Sequence, residues 1–472
     1  MNNIRRYMAS ILSLIVTACS YAQENVWDAP VFGFSNDRAL SVERVIFAEN
    51  STMVEISVNT DIKTNINLSS ETYLKVEGKE YPIIKASKIK LNKECKLNKQ
   101  KTYSFTLHFK PIPFGVKKIH LLSKQDEGYL IISNIHSADS LNTVTLLPDS
   151  HYLHKTDSLP VSRFCPDSTF VDISIQNYVA EAGSKVRLNY YGNNIYIAPK
   201  GPEFDISADG KARIAFCPHF PQTVYINIGD SRSIYLVVVP GGTLSLQLDM
   251  GSNSHDIDVV SARGDMDDVN YGINTTFARN IIKFDNSKAY TDSILVADGW
   301  LTHASETLYF QYRDKILNST LLPAVKEWLQ MNNDIRFYDH IKSINHHCVI
   351  RLLDELNKVE NSILINHRVK YLLSTEDFAK DDWQVQKKMT TSDKMTLFPY
   401  FYMFWDGKYK DGNGNVKIYN KDIDYFFSAL REFQYGDYDG SKAFTKHIQD
   451  TDMRSYMENM LDTKSPAVKT SE

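Results

Sequence analysis

The residue periodicities predict a multi-domain β plus α protein: two antiparallel β-sandwich modules followed by a mainly helical domain. Three observations carry that expectation. The chain has 472 residues, too many for one ordinary core and enough for roughly three domains. Its earlier part alternates apolar and polar residues with the period of a sheet, and its later part steps by three and four with the period of helices. The expected layout is a signal peptide over 1–22, a β module over 24–138 and a linker over 139–167. A second β module over 168–250, a linker over 251–270, a helical domain over 271–464 and a tail over 465–472 complete it.

The opening segment reads as an export signal. Arg5 and Arg6 precede an apolar run from Tyr7 to Ala18 that is too short to span a bilayer, and Ser20-Tyr21-Ala22 before Gln23 fits a small-residue cleavage box. Val16-Thr17-Ala18-Cys19 also fits the box that precedes a lipidated cysteine, so cleavage after Ala22 and acylation of Cys19 are the two routes. A lipid would hold the protein to a membrane surface through roughly 0.8 kcal/mol per buried methylene. No later run is apolar enough for a membrane span.

In the first module Val54, Ile56 and Val58 alternate with polar neighbours, as do Tyr103, Phe105, Leu107 and Phe109. Tyr73 to Val76 and Tyr81 to Ile84 flank a turn at Glu77-Gly78-Lys79-Glu80, and Pro111 and Pro113 stop the last run. Strand candidates in the second module are Phe170–Ile175, Val186–Tyr191, Ile195–Ile197, Ala212–Phe216, Val224–Ile228, Ile234–Val239 and Leu244–Leu248. Turns at Asp209-Gly210 and Gly241-Gly242 separate some of them. Helical stripes follow at Leu308, Tyr312 and Ile316, at Ile341, Ile344, Cys348 and Leu352, and at Ile423, Phe426, Phe427 and Leu430. Ser374 is placed as an N-cap, with Asp377 three residues on.

Composition excludes several function classes. The formal net charge of -4 becomes -6 once Arg5 and Arg6 are removed, and no basic cluster exists to displace counterions from phosphates, which argues against a nucleic-acid partner. After the leader the cysteines are Cys95, Cys165, Cys217 and Cys348, with no Cys-x-x-Cys pair of the kind that thiol-disulfide exchange uses. They are expected chiefly as small buried apolar residues. Nucleophile-elbow, phosphate-loop, zinc-helix and dinucleotide motifs are missing, so neither a catalytic residue nor a cofactor is assigned.

Two weak constellations remain. Asp411, Asn413 and Asn415, with Asp422 further on, space oxygen ligands as a calcium loop does, but Val416 stands where the sharp turn needs glycine. Asn345-His346-His347-Cys348 is a poor metal site because consecutive helical residues point about 100° apart. The aromatic run Phe398, Tyr400, Phe401, Tyr402, Phe404 and Trp405 fits core packing first. As a platform for a sugar or peptide it would use Tyr402, Trp405, Asp406 and Tyr409.

Several segments resemble the N-terminal, non-redox portion of large TlpA-like thioredoxin-family proteins of Gram-negative cell envelopes. They are Trp27-Asp28-Ala29-Pro30 with Phe34-Ser35-Asn36, the stretch Tyr73 to Pro82, and Ile234-Tyr235-Leu236 with Pro240-Gly241-Gly242-Thr243-Leu244-Ser245-Leu246. The resemblance implies β modules and a helical region ahead of a thioredoxin domain, and this sequence carries no Trp-Cys-x-x-Cys onto which that domain's activity could be placed. The expectation is therefore an exported, periplasmic or outer-membrane-associated, non-catalytic scaffold that engages an envelope protein or a small ligand. A truncated thiol-disulfide oxidoreductase, and a glycan- or peptide-acting enzyme with its site in the helical domain, are the alternatives.

Overall fold

The computed structural model describes residues 25–97, 102–126, 128–138, 151–189, 202–229, 233–251, 256–281, 307–337, 397, 408–410, 416–418 and 421–464. These residues are mostly β, with one large curled antiparallel sheet and a few helices.

The first region contains β1 (Asn25–Asp28), β2 (Phe34–Ser35), β3 (Leu40–Phe47), β4 (Thr52–Asn59), β5 (Asn65–Ile66), β6 (Thr72–Val76), β7 (Lys79–Ser87), β8 (Cys95–Lys96), β9 (Thr102–Phe109), β10 (Ile119–Gln125) and β11 (Gly128–Ile135). Nine strands join in the order β1-β3-β4-β9-β7-β6-β10-β11-β2, while β5 and β8 pair separately. The alternation is visible in the burial: Val54, Ile56, Val58, Phe105, Leu107 and Phe109 are all buried. Tyr103 is instead half-buried, with its hydroxyl donating to Lys88 O at 2.6 Å.

The sheet turns at β7. Its residues Lys79–Pro82 pair with β6, its residues Ile83–Ser87 pair with β9, and the register shifts between Ile83 and Lys85. Pro82 has no N–H for a ladder, and a bulge bends its strand and increases the local twist. The two halves consequently close on one core, to which Val54, Phe105 and Phe109 contribute from one side and Leu74, Leu121 and Ile132 from the other. The β6–β7 turn is tighter than the expected one: Glu77 and Gly78 alone close it, with φ of 48° and 81°, the pattern of a type I′ hairpin.

The second region contains β12 (Thr169–Gln176), β13 (Lys185–Asn189), β14 (Glu203–Asp205), β15 (Lys211–Phe216), β16 (Gln222–Ile228), β17 (Ile234–Val238), β18 (Thr243–Asp249) and β19 (Asp258–Gly264). They form two four-stranded sheets, β15-β12-β18-β19 and β14-β13-β16-β17, whose apolar residues share one core. The expected antiparallel arrangement is corrected at one place: β12 and β18 run parallel from Phe170↔Thr243 to Gln176↔Asp249. Alternation specifies which face of a strand is buried and leaves the direction of its neighbour open. Strand β19 also occupies part of the stretch 251–270 expected as linker.

The two β regions are packed together. Phe34, Leu122 and Ile131 of the first belong to the core of the second. Gly33 sits so close to it that an added Cβ would lie 2.7 Å from Met250 O and 2.8 Å from Gly251 Cα. Lys75 pairs with Glu181 across this seam at 2.5 Å.

Two helical groups attach to the second β region. One comprises α1 (Asp267–Gly272), α2 (Thr276–Ile281) and helical residues 307–317 and 323–337, and buries Val269, Tyr312, Ile316, Trp328 and Leu329 with Val237 of β17. Asn270 accepts from Val237 N at 2.7 Å and donates to Val237 O at 3.0 Å, and Asn274 likewise bonds Tyr235 N and O at 3.2 and 2.7 Å. Two side-chain amides four residues apart thus continue the ladder of β17 and cover what would otherwise be an open edge. The other group comprises α3 (Lys421–Tyr435), α4 (Tyr438–Thr445) and α5 (Thr451–Lys464), and packs Ile423, Phe426, Phe427 and Leu430 against Phe220 and Phe164. A short antiparallel pair, β20 (Lys408–Lys410) and β21 (Val416–Ile418), precedes α3.

Residues 151–167, inside the stretch expected as linker, form a pinned strap. Asp267 and Asp268 are fully buried. Asp267 accepts from Leu153 N at 2.9 Å and His154 N at 3.2 Å, and Asp268 accepts from Thr156 N and, at 2.7 Å, from Thr156 Oγ1. Leu159 N bonds Glu327 at 2.9 Å, and its side chain enters the first helical core.

Candidate functional site

A polar cavity of about 440 Å3 opens on the first β region. Its wall is assembled from four places in the chain: Asn36 and Asp37 in the turn after β2, Lys63, Asn65 and Asn67 around β5, Glu94 beside β8, and Gln125, Tyr129 and Leu130 on the β10–β11 hairpin. Several of these polar side chains are held by neighbours. Asn36 donates to Tyr129 O at 2.7 Å and accepts from Ile131 N at 2.9 Å, so its amide fixes the hairpin relative to the turn. Asp37 accepts from Ala39 N at 3.0 Å and forms an ion pair with Lys63. Asn65 donates to Glu94, and Gln125 donates to Ser123 Oγ at 3.1 Å. The result is a concave surface of amides, the Asp37–Lys63 ion pair, the Glu94 carboxylate and a tyrosine. Such a lining exchanges hydrogen bonds with hydroxyl and amide groups.

A second concentration of buried polar groups lies where α3–α5 meet the β framework. His219 is buried, its Nε2 lies 3.0 Å from the Tyr456 hydroxyl, and its Nδ1 has no hydrogen-bond partner. Phe164, Phe426 and Tyr456 surround the ring at centroid distances of 6.4, 5.3 and 5.1 Å. Desolvation pulls its pKa down to about 4, so the ring is neutral near pH 7. His120, at the seam of the two β regions, is likewise lowered to about 4 by burial and then by Lys118 and Lys75, with Glu181 opposing. Both histidines are part of the packing.

Few of the sequence-predicted site residues fall where the structure can place them. Cys19, Tyr402, Trp405, Asp406, Asp411, Asn413, Asn415 and Cys348 lie outside the described residues, as do Ser374, the run 345–348 and the stripe from Ile341 to Leu352. Tyr409 is the middle residue of β20, paired with Lys417. Asp422 is in the first turn of α3, and its carboxylate accepts from Gln449 N at 2.7 Å and Asp450 N at 3.0 Å, tying α3 to the start of α5. Among the described residues no group of three His, Cys, Asp or Glu side chains is arranged to hold a metal, and no helix is long and apolar enough to cross a membrane. The cavity residues escaped sequence reasoning because they come from segments up to tens of residues apart. The paired Asn36-Asp37 and Asn65-x-Asn67, polar interruptions in an otherwise apolar-alternating module, are the only local trace of it.

No family model and no curated protein matches the chain. Among solved structures a match is found to a type I pullulanase from Bacillus subtilis complexed with maltose, at 9% identity and a TM-score of 0.17. It covers 42% of this chain and spans 24% of the pullulanase chain. At that level of likeness nothing carries over from that enzyme.

Proposed function

We propose that this chain is an exported, non-catalytic scaffold or binding protein of the cell envelope, in which two β-sandwich modules carry a helical region and the polar cavity of the first module receives a neutral, hydroxyl-rich ligand. The observation that carries the reading is the cavity itself, with its amides locked in place by Asn36, Asn65 and Gln125 and its Asp37 charge matched by Lys63. Groups held in this way lose little freedom on binding, and small-molecule sites use a few fixed polar groups to orient a ligand. The leader from Arg5 to Ala22 supports export, and Cys19 supplies an acylation site if the lipid route is taken. The resemblance to the non-redox part of TlpA-like proteins supports the envelope setting.

The binding test is thermal shift and calorimetric titration of purified protein against a panel of neutral oligosaccharides and polyols, with Asn67→Ala and Gln125→Ala as site variants. Saturable stabilisation that both variants weaken about tenfold is the expected result. Stabilisation by no member of the panel, or equal stabilisation of wild type and variants, removes the cavity as the site. Intact-mass analysis of the protein recovered from fractionated cells tests export separately, through cleavage after Ala22 or acylation of Cys19.

A further inference from the structure

The segment that leads into β1 and the connection that follows β9 leave the first β region at the same end. Residue partners run in a single row across five strands, Asn25↔Phe47, Phe47↔Thr52, Thr52↔Phe109 and Phe109↔Ile83. Strand β1 begins at that row and β9 stops there. Residues 110–118, the β9–β10 connection, read Lys-Pro-Ile-Pro-Phe-Gly-Val-Lys-Lys. Ile112 is buried and its N–H donates to Thr52 Oγ1 at 3.0 Å, and Val116 packs against the first core. Between those two anchors Pro113, Phe114 and Gly115 face solvent, with Phe114 55% exposed. Lys110, Lys117 and Lys118 are exposed on either side, and Ile84, next to the end of the row, is exposed as well.

We propose that the β9–β10 connection is a membrane-contact loop, which seats that end of the first β region on an anionic lipid surface with Phe114 among the headgroups. An exposed aromatic ring gains by burial at the headgroup and acyl boundary, and lysines beside it are drawn to anionic lipid. The loop is prepared for contact. Pro111 and Pro113 fix their φ angles while Ile112 and Val116 hold the two arms, so little freedom is lost on binding. Glu49 in the β3–β4 turn, and Glu77 and Glu80 with Lys79 around the β6–β7 turn, are exposed at or beyond the row and temper its positive charge. The attraction therefore needs the ring and the three lysines of the loop together.

Two placements favour a membrane as the occupant. Cys19 precedes Asn25 by six residues, which span at most about 22 Å, so a lipid on Cys19 would enter a bilayer on the side where the loop stands. Only β3 and β4 separate β1 from β9, which sets the two exits about 14 Å apart at the usual strand spacing. The polar cavity lies at the other end: Lys63 follows the Asn59 end of β4, and Gln125 closes β10 at the end away from the loop. Seating the loop on lipid thus leaves the cavity open. The inference rests on the export reading for the choice of a lipid surface.

The test mixes the purified mature chain, beginning at Gln23, with sedimentable vesicles of phosphatidylcholine alone or with added phosphatidylglycerol, at low and at physiological salt. Partition into the anionic vesicles is expected, stronger at low salt, and weakened about tenfold by Phe114→Ser and about tenfold by Lys117→Gln with Lys118→Gln. Phe277→Ser, which removes a comparably exposed ring from α2, should leave partition unchanged. All these side chains are exposed, and matched melting temperatures confirm that each variant folds. Absence of partition into either vesicle, equal partition into both, or an equal loss from Phe277→Ser overturns the proposal. The result stands apart from the intact-mass assay. Partition by a protein whose leader is never processed in cells keeps the loop and counts against export, whereas processing without partition keeps export and removes the loop.

Discussion

The β framework and the α3–α5 group are both held by apolar cores, but they are built on different kinds of contact. The curled sheet gathers strands from Asn25 to Ile135 into one core, and nearly every strand is locked by two neighbours. The three helices bury their own stripe and meet the rest of the described residues chiefly through Phe164, His219 and Phe220. Cooperativity follows from how many partners each element shares. The comparison predicts that the sheet unfolds as a unit, whereas α3–α5 can open without it.

The largest effect should come from emptying each core in turn. Phe105 and Phe426 are both fully buried, and truncation of a buried phenylalanine typically costs about 3–5 kcal/mol. Phe105→Ala should therefore lower the main urea midpoint and speed amide exchange throughout β1–β11. Phe426→Ala should speed exchange in 421–464 while β4 and β9 keep their protection. Loss of protection in β4 and β9 on Phe426→Ala would show that the two regions form one cooperative unit.

The strap supplies the next test. Asp267 and Asp268 are fully buried and receive the backbone of Leu153, His154 and Thr156, so replacing one acceptor removes charge-assisted hydrogen bonds that hold the strap, at about 1–3 kcal/mol. Asp267→Ala is expected to raise exchange at 151–156 and to lower the midpoint by that amount. Unchanged exchange there would mean that Leu159, through its apolar contacts, holds the strap without the carboxylates.

How much of this was legible in the sequence differs along the same line. Strands could be placed from Val54, Ile56 and Val58 or from Leu244 and Leu246 because alternation is a local signal of a half-buried face. The stripe Ile423, Phe426, Phe427 and Leu430 likewise located α3. What could not be read was partner choice. The parallel β12–β18 pairing, the turning of the sheet at Pro82 and the capping of β17 by Asn270 and Asn274 depend on residues distant in sequence. Strand β19 was hidden because Ser261, Arg263 and Gly264 interrupt its apolar pattern. The cavity was invisible for the same reason, since Asn36, Lys63, Glu94 and Gln125 meet only after the sheet has curled.

Acid should act on both regions through their buried histidines, and a substitution separates the two. His219 has a folded-state pKa near 4 against about 6.5 when exposed, so the unfolded chain takes up its proton first as pH falls. Stability from this group is fully present above about pH 6.5 and is lost progressively down to about pH 4, amounting to roughly 3 kcal/mol for a shift of that size. His219→Phe should leave amide exchange in α3–α5 flat between those values while the seam around His120 keeps its acid sensitivity. Equal acid sensitivity of α3–α5 in wild type and variant would trace the response to other groups.

The smallest expected effect concerns charge at the β seam. Lys75 and Glu181 are only 31% and 15% exposed and lie 2.5 Å apart, whereas Lys124 and Glu71 are paired at 2.8 Å with 52% and 65% exposure. Solvent screens the second pair and leaves it little to contribute, while Glu181 keeps one oxygen buried without a hydrogen-bond partner even when Lys75 is present. Lys75→Met should accordingly cost about 1 kcal/mol, because it leaves a partly desolvated carboxylate alone, and Lys124→Met should leave the urea midpoint where it was. Double substitution of Lys75 and Glu181 by Met and Gln separates the pair energy from the packing of their stems. A recovery of most of the loss in that double variant would identify the stranded carboxylate as the cause, and equal losses in single and double variants would assign the effect to packing across the seam.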